Sequence, residues 1–342
     1  MSLIDKLKKN TTSIHTDLLM DSKAYQKKDP IQTTIPMINV ALSGKLDGGL
    51  LPGSLVLAGP SKHFKSAFAL LLAGAFIQKH PDGVILFYDS EFGTPEQYFD
   101  NFNIPKERVV HTPVTNVEEL KFDMMQQLEG LEKGDHVCII IDSIGNLASK
   151  KEVEDALDGK SVADMTRAKA FKSLFRMIIP HLSLKEIPLI AVNHTYSELS
   201  MHPRQIVSGG TGIYYSSDNI WIIGRQQEKE GTEVIGYNFI INIDKSRFVR
   251  EKSKISISVS FDGGIKKWSG LFEEAVEGGF ILNPTKGYYS LKESPEDKFR
   301  RSKIDQDGVF WRKMLDNEEF KTYINTKYIL DGNMMIEDVK IL

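Results

Sequence analysis

Gly59, Lys65 and Ser66 are the residues whose types and spacing most directly name a chemistry. They belong to the octapeptide Gly59-Pro60-Ser61-Lys62-His63-Phe64-Lys65-Ser66, which follows the apolar run Ser54-Leu55-Val56-Leu57-Ala58. The template is G-x-x-x-x-G-K-[S/T]. In it backbone N–H groups cradle phosphates, the lysine reaches the terminal phosphates and the hydroxyl holds Mg²⁺. Phe64 stands where the template has its second glycine. Glycine there supplies a positive φ and close approach to phosphate. A phenylalanine is expected to keep φ negative and turn its ring outward, leaving Lys65 and Ser66 in register.

Alone, the octapeptide also fits an ordinary strand–turn–helix connection, so its neighbours decide. The run at 84–88 ends in Asp89-Ser90-Glu91, and the run at 137–141 ends in Asp142-Ser143. Open α/β sheets bind ligands at the C-terminal ends of their strands. Asp142 can therefore join Ser66 around Mg²⁺, and Glu91 can orient and deprotonate an attacking water. ATP and Mg²⁺ are the expected cofactors.

The elements that must position these groups are legible as alternating strands and helices from residue 31 onward. Strands are expected over 54–58, 84–89, 136–142, 188–193, 219–224, 237–245 and 254–261, with helices over 66–78, 95–102, 117–132 and 161–182. Continuous apolar runs such as Cys138-Ile139-Ile140-Ile141 mark strands covered on both faces, the habit of a parallel sheet. The strict alternation at 254–261 marks a half-exposed antiparallel strand. Beyond Gly270 a helix is expected over 271–277, a short strand over 287–290, a charged exposed loop over 292–306 and a helix over 308–325. The fold class is α/β: a mostly parallel sheet flanked by helices (31–270), an N-terminal helical arm (1–30) and a small C-terminal α/β domain (271–342).

Bulk properties narrow the setting. The 342 residues are 41% hydrophobic and 26% charged, with net charge −3, so contact with nucleic acid must rely on local basic clusters. The single cysteine, Cys138, permits no internal disulfide and sits in an apolar run, as expected of a buried thiol in a reducing compartment. No apolar stretch approaches a membrane span or a signal core, so a soluble, cytoplasmic protein with no membrane partner is expected.

The order of motifs carries a resemblance. The phosphate loop is followed by Phe-Tyr-Asp-Ser-Glu-Phe-Gly (87–93), Ile-Ile-Asp-Ser-Ile-Gly-Asn-Leu (140–147), Ala-Val-Asn-His (191–194) and Ser-Gly-Gly-Thr-Gly (208–212). This pattern resembles the RecA-type homologous recombinases, and within them a phage branch that also places Phe in the loop; it covers about residues 31–316. The resemblance implies an ATP-binding core, with Glu91 as the catalytic glutamate and Tyr98 as an aromatic stacked on adenine. It further implies that His194, where recombinases usually carry Gln, senses the γ-phosphate. With an ordinary imidazole pKa of about 6.5, that coupling is expected to depend on pH. Lys245 and Arg247 match a basic pair that reaches the neighbouring subunit's γ-phosphate, like an arginine finger in trans.

Two segments follow the central strands. Residues 149–162 mix Lys150, Lys151 and Lys160 with acids and form a charged loop by composition. Residues 195–212 are long, glycine-rich and aperiodic, which marks a functional loop. Within and beside them Arg167 and Arg204 can contact phosphates, Tyr196 can stack on bases, and Gly209 and Gly210 allow close backbone approach. The resemblance makes single-stranded DNA the expected partner, with homologous duplex DNA, self-association into helical filaments, and single-strand-binding and mediator proteins besides. The activity it implies is ATP-dependent strand exchange in recombination, repair and recombination-dependent replication. A RecA-fold hexameric helicase shares the loop and the trans basic residues, but an arm that packs on a neighbour propagates an open helix as readily as a ring. A non-hydrolysing DNA-binding scaffold, motivated by Phe64, conflicts with the presence of Lys65, Ser66, Glu91 and Asp142.

Overall fold

Apolar runs without alternation need cover on both faces, and the sheet has it. The computed structural model describes all residues except 14, 23–25, 27, 160–165, 199–204 and 331–342. Its first strands are β1 (Gly53–Ala58), β2 (Val84–Asp89), β3 (Val109–Pro113), β4 (Val137–Asp142) and β5 (Pro188–Asn193). A separate hairpin follows, β6 (Thr195–Ser197) with β7 (Gln205–Val207), then β8 (Asn219–Glu230), β9 (Glu233–Lys245), β10 (Lys254–Ser260) and β11 (Gly264–Ile265). The main sheet has nine strands in the order β11-β10-β9-β8-β1-β5-β4-β2-β3. From β8 to β3 all pairings are parallel; β8–β9, β9–β10 and β10–β11 are antiparallel.

Side chains of one strand alternate between two cores. Leu55 and Leu57 of β1, Ile140 of β4 and Val192 of β5 face one. Val56, Ala58, Ile139, Ile141 and Ala191 face the other. The helix Lys65–Lys79 closes the first side with Phe68, Leu72 and Phe76, and the helix Thr166–Lys185 closes the second with Phe171, Phe175 and Ile178. Cys138 is buried, and burial pushes its thiol up to about 12.

Several expectations change. Residues 292–306 are not a loop: β14 (Ser294–Phe299) pairs with β13 (Tyr288–Leu291), itself paired with β12 (Ile281–Thr285), and a short helix Arg301–Ile304 follows. The charges lie on the exposed face, while Ile304 enters the core. The helix expected over 308–325 is two helices, Gly308–Asp316 and Glu318–Tyr328, because Asn317 breaks the first and caps the second through its side chain. Residues 150–157 form a helix where a loop is expected; Ser149 and Glu152 complete a capping box. Of the helix expected over 161–182, residues 161–165 lie outside the described set, and the described helix runs Thr166–Lys185. Strand β3 escapes the sequence pattern because it is a sheet edge, where Val110 and His111 stay exposed.

At the N-terminal ends of the central strands, His80 caps the helix Lys65–Lys79 and stacks on His136 with ring centroids 4.0 Å apart. Burial first, then the His136 and Lys79 charges, hold the His80 imidazole below its ordinary value. The folded state thus binds this proton more weakly than the unfolded chain does, so stability present at pH 7 is lost as pH falls through the ordinary histidine value of about 6.5. The variant His80→Gln is expected to narrow the difference in melting temperature between pH 7.5 and 5.5 by about 1–2 °C. An unchanged difference would remove His80 as a contributor.

Candidate nucleotide site

Register brings the chemistry to one sheet edge. Ala58 pairs with Asn193, and Asp89 with Asp142, so the chain segments leaving β1, β5, β2 and β4 emerge side by side. The phosphate loop leaves β1 and enters the helix Lys65–Lys79 at Lys65. Gly59 is needed for space, since a Cβ there would lie 2.8 Å from the Ile223 carbonyl oxygen.

Phe64 departs from expectation. Its φ is +62°, the left-handed conformation of the template glycine, and not a negative value. Its ring does not turn outward. It stacks on Phe239 at 5.0 Å and meets Phe68 edge-on at 5.4 Å. A left-handed L-residue costs roughly 1–2 kcal/mol, and aromatic pairs return about 0.5–1.5 kcal/mol each beyond area burial. The loop therefore keeps the template's backbone by packing instead of by glycine. Lys62 is left-handed as well, with φ +60°. His63 Nδ1 lies 2.9 Å from the Ser61 carbonyl oxygen, and burial holds its imidazole below the ordinary value. Pro60 offers its carbonyl to Lys65 Nζ at 2.8 Å. Lys65 is buried, and desolvation lowers its pKa against the opposing pull of Glu91 and Asp142.

The acids occupy two distinct environments. Asp142 is buried, Thr94 donates to its Oδ2 at 3.1 Å, and its Oδ1 has no hydrogen-bond partner. Burial raises its carboxyl above the ordinary range, against a hydrogen bond from Ser66. An orphaned carboxylate oxygen beside a serine hydroxyl is a hard-oxygen pair suited to a divalent cation. Glu91 is set by a turn in which Asp89 Oδ1 accepts from the N–H groups of Glu91 and Phe92 at 3.0 and 2.8 Å. Its Oε1 accepts from Ser143 Oγ at 2.5 Å and lies 2.8 Å from His194 Nε2. His194 opens the β6–β7 hairpin, and Ser208 N–H donates to its carbonyl. Asp89 and Ser143 stand inside the matched motifs without a role assigned to them, and Thr94 stands just outside; each lies within three residues of a matched acid, which is the available signal.

A groove of about 980 Å³ runs from Phe64 and Ala67 along the helix to Tyr98 and Phe261. Both aromatics are exposed. Phe261, after β10, has no sequence signal beyond being an apolar residue at a strand end.

Other expected residues separate from this cluster. Lys245 pairs with Ile220 near the beginning of β8, level with Val56 of β1. Three residues of strand, about 10 Å, lie between that level and Gly59. Its Nζ donates to the Tyr214 and Tyr215 carbonyls at 2.8 and 3.0 Å, and desolvation lowers its pKa. Arg247 pairs with Asp218 at 2.7 Å while staying largely exposed. Arg167 does not present itself to phosphate: Nε donates to Leu147 O at 2.6 Å and Nη2 to Gly145 O at 2.5 Å, fastening the chain after β4. Lys150 and Lys151 are exposed on the helix Lys150–Leu157, and Tyr196 is exposed on β6. Gly209 and Gly210 are left-handed at φ +93° and +82°, and turn the chain from the hairpin into the helix Thr211–Ser216. Lys160 and Arg204 lie outside the described residues. One contact was not expected at all: Arg225 Nη1 donates to the Lys62 carbonyl at 3.1 Å.

Residues 268–324 match the family model described as the C-terminal domain of the bacteriophage T4 recombination and repair protein. The recombination and repair protein of Enterobacteria phage T4 is 46% identical over 346 aligned residues, covering 98% of this chain and 88% of that protein. Protein RecA of Streptomyces rimosus is 24% identical over 75% of this chain and 67% of its own length. Protein RecA of Enterococcus hirae is 24% identical over 79% and 78%.

Because Phe64 combines a left-handed backbone with aromatic packing, its two simplest replacements should rank in an unusual order. Phe64→Gly loses the ring but regains backbone freedom; Phe64→Ala loses the ring and keeps the strain. Denaturant midpoints are expected to place the Ala variant about 1 kcal/mol below the Gly variant, the reverse of their order in a helix. An Ala variant more stable than the Gly variant would show that position 64 carries no left-handed strain.

Proposed function

This chain belongs to the RecA-type recombinase family that includes the recombination and repair protein of bacteriophage T4, and from that membership we propose that it is a DNA-dependent ATPase. On this reading it polymerises on single-stranded DNA and pairs it with a homologous duplex for strand exchange. The observation that carries the reading is the shared Glu91 oxygen. One carboxylate is bonded at once to Ser143, beside the cation ligand Asp142, and to His194, at the root of the β6–β7 hairpin. That contact joins a hydrolytic centre to the segment proposed to hold DNA.

Backbone N–H groups of residues 61–66 and the Lys65 side chain bind the phosphates of ATP. Ser66 and Asp142 would hold Mg²⁺, which would supply charge neutralisation at the phosphates. Glu91 orients the attacking water and takes its proton once Ser143 and His194 release a lone pair. Tyr98 and Phe261 face the groove from two elements, an arrangement suited to a planar base. Lys150, Lys151 and Tyr196 contact single-stranded DNA through phosphate and base stacking, without sequence preference.

Lys245 and Arg247 stand too far along the sheet to serve their own loop, which supports a role at the neighbouring subunit's phosphates. The helix Leu3–Asn10 leaves Leu3, Ile4 and Leu7 exposed on one stripe, which suits an N-terminal arm packing on the next subunit. Residues 271–342 are proposed as the small C-terminal domain. Among the described residues no helix is long and apolar enough to cross a membrane.

Hydrolysis measured with and without single-stranded DNA tests the central claim: a rate that DNA leaves unchanged would overturn it. Mixing Lys65→Ala protomers with Lys245→Ala protomers tests the shared site, since intact composite sites form only at mixed interfaces. Activity should peak near equal mixing; none at any ratio would restrict each site to one chain.

Asp142 allows a test that needs no turnover. Its raised carboxyl means that ionisation costs the ligand-free fold stability as pH rises through and beyond the carboxylate range. Asp142→Asn should therefore melt no lower than the parent at pH 7 without ligand, and should lose the extra stabilisation that Mg²⁺ adds to ATP. Retention of that Mg²⁺ increment would exclude Asp142 from the metal.

A further inference from the structure

From the contacts around the loop we infer that Arg225 is a positioning residue for nucleotide, forming with Phe239 a single brace that stands in for the missing loop glycine. The inference rests on residues 59–66 being the phosphate site. Parallel pairing of β1 with β8 ends at Ala58 and Ile222, and β8 continues past the loop. Residues 221, 223 and 225 point to the same side of the sheet, and Trp221 and Ile223 lie in the core that Phe64 packs against. Arg225 is therefore carried directly over the loop.

Two loop residues without glycine's freedom hold left-handed backbones, Lys62 and Phe64. Each has its own restraint. The Phe64 ring stacks on Phe239, and the Lys62 carbonyl accepts from Arg225 Nη1 at 3.1 Å. These two restraints are one structure, because Arg225 and Phe239 are directly opposed partners in the β8–β9 ladder. The Arg225 guanidinium is itself held in place, 4.5 Å over the ring of Tyr237, and Tyr237 also contacts Phe239. Arginine suits the task better than lysine, because its planar group can stack and donate at once. The loop's N–H groups are aimed by the orientation of its peptide planes, so fixing the Lys62 carbonyl fixes part of the phosphate cradle.

Binding of the fluorescent N-methylanthraniloyl derivatives of ATP and ADP with Mg²⁺, alongside ATP turnover and ligand-free melting, tests the brace. Arg225→Ala is expected to weaken ATP and ADP about equally, by about tenfold, the factor that corresponds to one charged hydrogen bond. KM should rise with kcat within about twofold, and ligand-free melting should barely move, because Arg225 is exposed. Arg225→Lys should recover only part of the affinity, and Tyr237→Leu should lose affinity in the same direction. If the parent binds nucleotide and Arg225→Ala binds within twofold of it, the brace is wrong and the nucleotide site stands. Loss for ATP alone, or full recovery by lysine with Tyr237→Leu silent, would mean a direct charge on phosphate and would overturn positioning. A parent protein that binds neither nucleotide would overturn the site and the brace together.

Discussion

The parallel register of β1, β5, β4 and β2 is the constraint from which the site follows. Because Ala58, Asn193, Asp142 and Asp89 end their strands at one edge, four short connections must share one small volume. A slip of one residue in any of these strands would exchange the side chains that it sends into the two cores and misfit the packing of both. The same burial that fixes each strand between two cores thus also fixes where Lys65, Glu91, Asp142 and His194 stand. Stability and chemistry use one set of pairings.

Within that volume, charges are arranged by unequal burial. Asp142 and Lys65 are deeply buried and each is displaced toward its neutral form, with Lys65 folded back onto a loop carbonyl. Such groups gain most from a ligand that brings the opposite charge, here phosphate for the lysine and a cation for the aspartate. Glu91 stands nearer to solvent and is held by directional bonds instead. Binding groups are desolvated and the proposed base is tethered, so each polar contact that is exchanged on binding concerns a different step.

The sheet, its flanking helices and the acids at its strand ends were legible because burial on two faces leaves continuous apolar runs, and strand ends follow from them. What escaped was held by long-range contact. Strand β3 has the polarity of an edge. Arg167 has the composition of a phosphate ligand, yet the carbonyls after β4 consume its guanidinium. At residues 149–162 charge content suggested a loop, and a capping box that fits the same letters made a helix. Phe64 shows the limit most clearly. The residue type argued for a negative φ, but Phe239, 175 positions later in the chain, supplies a stacking surface that repays the left-handed one.

The long β8–β9 ladder links two regions that a motif search treats as separate. Midway along it, Arg225 and Phe239 touch the phosphate loop; at the end away from its turn, Lys245 caps the helix Thr211–Ser216, which follows directly from Gly209 and Gly210. A neighbour's phosphates drawing Lys245 away from the Tyr214 and Tyr215 carbonyls would leave the end of that short helix without its cation. The helix is continuous with the β6–β7 hairpin, and the hairpin begins at His194 against Glu91. On the proposed function, Lys245 stands at one end of a segment of chain whose other end is His194 against Glu91, and that gives a site completed by a neighbour's lysine a structural reason to act only when the neighbour is present.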